Sequence, residues 1–140
     1  MVMFSNLHLK KFNYLHLAGV LAVPFTLTKD GFESQMAINY IGHFLLSHLL
    51  MPQLIAGGAE LRRNSRIINV SSCAHYAGKI NYDDFNNQYY YHTGKAYCDS
   101  KLAQVLFTKS LNQLCEINDW KVQAIAPHPG IFLYYKSNSN

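Results

Sequence analysis

Cysteine, tryptophan and charged residues are all scarce in this chain. Its 140 residues include three cysteines, one tryptophan and four prolines, and only 14% are charged. An odd cysteine count, Cys73, Cys98 and Cys115, excludes the paired framework of a small secreted protein and points to reduced thiols. Their spacings to His75, His92 and His128 match no zinc pattern, so no metal centre is expected. Acidic residues number eight against twelve basic ones, a net charge of +4. The basic residues are scattered apart from Arg62, Arg63 and Arg66, which argues against nucleic acid as a partner. There is no internal repeat, and no low-complexity segment beyond the Ser-Asn tail. Lys10-Lys11 and the apolar residues 12–25 imitate a signal peptide, but Asn13 and His16 interrupt the run. No run reaches the length of a membrane span. The 49% hydrophobic content fits a single globular domain over residues 1–140.

The informative residues lie in Ala96-Tyr97-Cys98-Asp99-Ser100-Lys101-Leu102-Ala103. A tyrosine and a lysine four positions apart share one helix face. An isolated phenol has a pKa of about 10, and a neighbouring ammonium favours its ionised form, which suits the group to moving a proton in carbonyl reduction or alcohol oxidation. Tyr91 and Lys95 repeat that spacing among the ten tyrosines of the chain, so spacing alone does not choose between the pairs. Tyr91 lies in a Tyr89-Tyr90-Tyr91 cluster before Gly94, a poor helix residue, whereas Tyr97 opens a run with Ala103, Phe107, Leu111 and Leu114 at helical spacing. Tyr97 is therefore the stronger candidate.

Three other segments give the pair a setting. Residues 65–72, Ser-Arg-Ile-Ile-Asn-Val-Ser-Ser, read as a buried strand ending in hydroxyls, where an open α/β sheet places its chemistry. Residues 30–46 read as a mostly apolar helix, with Phe32, Met36, Tyr40 and Phe44 at four-residue steps and Asn39 inside it. Residues 121–126 read as a further strand, closed by the turn Pro127-His128-Pro129-Gly130. Gly57-Gly58-Ala59-Glu60 is expected to be a loop between helix and strand, and residues 86–94 a polar, tyrosine-rich loop.

In this order, the Ala18-Gly19 turn, the Asn39 helix, the Ser71-Ser72 strand end, the Tyr97 and Lys101 helix and Pro129-Gly130 resemble the short-chain dehydrogenase/reductase family over about residues 4–131. Asn39-Tyr40-Ile41-Gly42-His43-Phe44-Leu45-Leu46, Val70-Ser71-Ser72 and His128-Pro129-Gly130 look most like its retinol dehydrogenase branch. The resemblance implies a Rossmann-like, doubly wound parallel sheet of α/β class and an oxidoreductase using NAD or NADP on a lipophilic alcohol or carbonyl of retinoid or prenol type. Tyr97 would then exchange the proton, and Lys101 would tune it and bond the nicotinamide ribose. Ser72 would hold the substrate oxygen, and Asn39 would position a water beside Lys101. Ala18, Gly19, Val70, Pro129 and Gly130, with Tyr97 and Lys101, would border the cofactor. The tyrosines of residues 86–94 would lie near the substrate entrance.

The chain also departs from the family pattern. The glycine-rich turn that receives the pyrophosphate has no counterpart, and neither does the residue that selects NAD or NADP. The expectation is thus a partial domain, lacking the first βαβ half and the C-terminal substrate lobe. It would begin in a helix over residues 4–12, run through a short strand at residues 14–19 and end in a polar tail at residues 136–140. Such a piece is expected to be inactive alone. The alternative is a non-catalytic remnant associating through its two long helices, as a homodimer for example. An intracellular location is favoured, and the N-terminal membrane anchor common in relatives would be absent.

Overall fold

A computed structural model describes residues 13–130. The expected helix over residues 4–12, the Lys10-Lys11 segment and everything from Ile131 onward lie outside the described residues. Three parallel strands form one sheet in the order β1 (Asn13–His16), β2 (Ser65–Asn69), β3 (Val122–Ile125). Tyr14 stands beside Ile67, and Ile67 beside Ala124, so one face of the sheet carries Tyr14, Ile67 and Ala124 in a row. Successive side chains alternate across a strand, so Leu15, Arg66, Gln123 and Ile125 point the other way. That opposite face is exposed and carries no helix among the described residues.

The covered face meets two long helices, α2 (Gly42–Leu61) and α3 (Thr93–Ile117). Met51 and Leu54 from α2, Leu111 and Cys115 from α3, Ile67, Val122 and Ala124 from the sheet form the core. Burying each large aliphatic side chain contributes about 1.5–3 kcal/mol. Polar cross-links supplement it: Ser65 Oγ donates to Leu54 O at 2.8 Å, and Asn112 of α3 brackets Ala124. Asn112 Oδ1 accepts from the Ala124 N–H at 2.8 Å, and its Nδ2 donates to the Ala124 carbonyl at 2.7 Å. Asn112 thereby satisfies the backbone edge of β3 that β2 leaves free.

The helix expected over residues 30–46 starts later and runs further. Glu33, fully buried, caps a single turn, α1 (Ser34–Met36), by accepting from the backbone N–H groups of Gln35 and Met36 at 2.9 and 2.8 Å. The path widens into a π turn over Ala37–Ile41, where the Gly42 N–H bonds Ala37 O, and continues as α2. The loop expected at residues 57–60 is corrected: both glycines are helical, and α2 ends at Arg62 in a left-handed conformation. Glycine there serves close approach, because a Cβ on Gly58 would lie 2.1 Å from Lys121 O. The joined segment Ser34–Leu61 is long and apolar enough to cross a bilayer by length and composition. Core helices of soluble proteins also pass that test, so the segment neither establishes nor overturns the expected absence of a membrane span. It packs here on the sheet and buries Gln35, Asn39, His43 and Ser47.

Gly58→Ala should lose about 1–3 kcal/mol to overpacking, although alanine is the better helix former by about 1 kcal/mol. Urea unfolding of the two proteins measures the difference, and an equal or higher midpoint for the alanine variant would contradict the close approach of α2 to Lys121.

Candidate active site

Parallel strands gather whatever follows their carboxyl ends, and in this sheet three such segments meet α3. Leu17, Gly19, Val20 and Leu21 follow β1, Val70, Ser71 and Ser72 follow β2, and His128, Pro129 and Gly130 follow β3. With Tyr97 and Lys101 of α3 they line a cleft of about 250 Å³. Gly130 adopts φ +88°, a left-handed conformation suited to glycine. Of the residues singled out from sequence, Gly19, Val70, Ser72, Tyr97, Lys101, Pro129 and Gly130 are in this cleft. Ala18 does not line it, and Asn39 lies behind it.

Lys101 is the buried charge of the site, 6% exposed. Among the described residues no carboxylate is within ion-pair distance of it. Its ammonium donates to Val70 O at 2.9 Å and to Gln104 Oε1 at 3.0 Å. Nζ lies 5.7 Å from the centre of the Tyr97 ring, so a positive charge stands over the phenol without bonding its hydroxyl. Burial pushes the Lys101 pKa below the ordinary lysine value.

Ser72 ends the extended segment after β2 and caps the 3₁₀ turn Cys73–Ala77, with Oγ accepting from the Ala74 N–H at 3.2 Å. Its hydroxyl proton is free to be donated elsewhere. Ser71 is 4% exposed, and its Oγ has no protein partner. A buried unpaired hydroxyl is costly unless a ligand or water meets it.

Asn39 sits in the π turn, a distortion often found at functional sites. Its Oδ1 accepts from the Val20 N–H at 2.8 Å, while Nδ2 donates to Val20 O at 3.0 Å and to Ser100 Oγ at 2.9 Å. The residue ties the β1 turn to α3. A Cβ on Gly19 would stand 3.3 Å from Asn39 Oδ1 and 3.8 Å from Lys101 Nζ, so the bare glycine backbone is what lets these groups crowd together.

The second tyrosine–lysine pair is arranged differently. Tyr91 OH donates to Val23 O at 2.7 Å and receives a bond from Gln35 Nε2 at 2.9 Å, while Lys95 pairs with the buried carboxylate of Asp99. Tyr89 and Tyr90 are exposed, whereas Tyr91 anchors its loop. No group of three or more histidine, cysteine or acidic side chains close enough to hold a metal ion occurs among the described residues.

The sequence assigns no site role to Ser71, His128, Gln104, His43, Glu33 or Gln35, and Tyr91, expected near the substrate entrance, instead bonds Val23 O and Gln35. Gln104 had a signal: it lies three residues after Lys101 between apolar positions of α3, on the face that points inward. A buried polar wing continues from it. Gln104 Nε2 bonds His43 Nδ1 at 3.1 Å, the His43 ring lies 4.7 Å from that of His16, and His16 Nε2 bonds Ser47 Oγ at 3.0 Å. Burial, then the charge of His43, lowers the His16 pKa to about 4, and burial followed by the charge of Lys101 lowers that of His43.

A parallel α/β sheet whose carboxyl-end segments meet a helix bearing Tyr97 and Lys101 is of the Rossmann-like class. The model of the family described as short chain dehydrogenase matches residues 15–134, and the chain belongs to that family. It is 49% identical over 115 residues to human retinol dehydrogenase 13, covering 81% of this chain and 33% of that protein. Bovine retinol dehydrogenase 12 is 45% identical over 114 residues, with 81% and 34% covered, and human polyprenol dehydrogenase 41% identical with the same shares. The chain thus spans about a third of the length of the curated relatives it matches. A crystal structure of an uncharacterized protein from Mycobacterium Paratuberculosis superposes with a TM-score of 0.75 at 39% identity, over 91% of this chain and 43% of that one.

The histidine pair sets a pH dependence. Folded His16 takes its proton near pH 4, and an unfolded histidine near pH 6.5, so between these values the unfolded state binds more protons and stability falls as the pH falls. Urea unfolding should show the contribution intact above pH 6.5 and about 3 kcal/mol of it lost by pH 3.5. His16→Asn should flatten that slope, and equal slopes in both proteins would contradict a neutral buried His16.

Proposed function

We propose that this chain carries the proton-transfer half of an NAD(P)-dependent oxidoreductase that interconverts a lipophilic alcohol and its carbonyl compound. The observation that carries the reading is the convergence of Ser72, Tyr97 and Lys101 on one cleft beside Gly19 and Gly130. Relatives named for retinol and polyprenol support an apolar alcohol as substrate. The cleft suits the nicotinamide end of a dinucleotide. Ser71 offers an unpaired buried hydroxyl, Lys101 has one N–H beyond the two it uses, and the Gly19 backbone is uncovered beside it. NAD(P), when bound, supplies or accepts the hydride.

The protein's own groups account for the rest of the reaction. The Ser72 hydroxyl donates to the substrate oxygen and stabilises the charge that grows there. The Tyr97 phenol gives that oxygen a proton in reduction, and its phenolate form takes one from the substrate hydroxyl in oxidation. Lys101 holds a fixed positive charge beside the phenol through both directions. Asn39 keeps the β1 turn and α3 in register behind the cleft.

The sequence holds no glycine-rich turn to receive a pyrophosphate, and the isolated chain is therefore expected to bind dinucleotide weakly and to turn over little or no substrate. A second reading, assembly without catalysis, draws support from an apolar groove of about 310 Å³ between α2 and α3, lined by Phe44, Met51, Phe107, Leu111, Leu114 and Trp120. Leu45 and Leu49 of α2 are 54% and 61% exposed.

Joining the chain in frame to a dinucleotide-binding βαβ segment of a relative should produce retinal reduction with NADPH or NADH. Tyr97→Phe in that fusion should lower kcat at least about 100-fold with KM little changed. Unchanged turnover in the phenylalanine variant would refute the role of Tyr97. A stable dimer of the 140-residue chain by sedimentation, with no activity in any fusion, would favour assembly.

A further inference from the structure

We infer that Gln104 and His43 are positioning residues for Lys101, holding its ammonium in place through a hydrogen-bonded chain that crosses from α3 to α2. The inference rests on the proposed catalytic use of Lys101 for its functional meaning and on geometry for its existence. Among the described residues Lys101 is buried without a carboxylate, so its orientation depends on neutral acceptors, and two of these residues supply them: Val70 O and Gln104 Oε1. The backbone carbonyl fixes distance from β2. Gln104, one turn further along α3, fixes direction.

An ammonium only donates, so Gln104 must present its oxygen to Lys101 and turn its NH2 away. That NH2 lies 3.1 Å from His43 Nδ1, which must then accept and carry no proton. His43 is consequently neutral, with its proton on Nε2. The charge of Lys101 thus selects a tautomer on another helix, and the imidazole in turn locks the amide. Gln104 is 1% exposed and His43 7%, so water does not compete for these bonds. The His16 ring against His43, itself bonded to Ser47, closes the far side of the chain. Neither Gln104 nor His43 lines the cleft, so both act through Lys101 rather than on a ligand.

The test is nuclear magnetic resonance of the full chain with 15N-labelled histidine and lysine. In the unaltered protein at pH 7.5, His43 should show an unprotonated Nδ1 and a protonated Nε2. A proton on Nδ1 overturns the inference without any variant being needed. In Gln104→Leu, which removes both bonds, the Lys101 titration midpoint should fall by about one pH unit or more, since a charge-assisted bond is lost. Gln104→Glu keeps an acceptor for Lys101 and should restore or raise that midpoint. An unmoved midpoint in the folded leucine variant overturns the inference. In the active fusion, Gln104→Leu should lower kcat more than it raises KM. Failure of the catalytic reading shows instead as unchanged turnover in Tyr97→Phe, while His43 keeps its Nε2 proton and the Lys101 midpoint still responds to Gln104→Leu.

Discussion

A single buried cation organises this molecule. Lys101 has been taken out of water with no anion among the described residues to offset it, and removing a charge from solvent costs several kcal/mol unless hydrogen bonds replace the hydration shell. The replacement comes from two directions, the Val70 carbonyl after β2 and the Gln104 amide on α3. The two bonds tie α3 to the segment after β2, and Ser72 of that segment and Tyr97 of α3 line the same cleft. A lysine paired with a carboxylate would have been cheaper to bury, but its charge would have been spent locally. Neutral acceptors leave the field of the ammonium directed at the phenol ring and at the cleft.

Around the cation the chain builds a rigid polar frame instead of a continuous apolar core. Asn39 uses both ends of its amide on Val20 and adds Ser100, so the loop after β1 is tied to α2 and α3 at once. Glu33, Gln35 and Tyr91 do the same for the stretch ending at Val23 and for the start of α3. Buried networks of this kind are costly when partly satisfied and stiff when complete. The unpaired Ser71 hydroxyl stands out for that reason: it lies in the cleft, at the point where a bound molecule would complete the set.

Much of this is legible in the chain itself. The order of Gly19, Asn39, Ser72, Tyr97, Lys101 and Gly130 follows a family pattern, and the apolar residues Ile67 and Ile68 and then Val122, Ala124 and Ile125 mark the strands. What stays hidden depends on contacts distant in sequence. Gly57 and Gly58 look like a loop because glycine lowers helix propensity, whereas both lie inside α2, where the close passage of Lys121 leaves no room for a Cβ at Gly58. Gln104 and His43 are ordinary polar residues in a helix until the partner 61 positions away is known. The π turn leaves no mark on the hydrophobic spacing, since the four-residue steps through Met36, Tyr40 and Phe44 fit an unbroken helix equally well.

On the proposed function, the one-sided packing of the sheet would separate proton transfer from dinucleotide anchoring. Among the described residues, the groups that bond Lys101 come from the segment after β2 and from α3, with His43 of α2 behind them, and all lie at the strand tips or with the covered face. The other face, with Leu15, Arg66 and Gln123, contributes nothing to the cleft. A helix packed there would bury apolar surface and stabilise the sheet, yet it would not need to touch Tyr97 or Ser72 to do so. Cover of that face would therefore act first on stability, through buried apolar surface, because the residues that line the cleft lie at the strand ends and on α3.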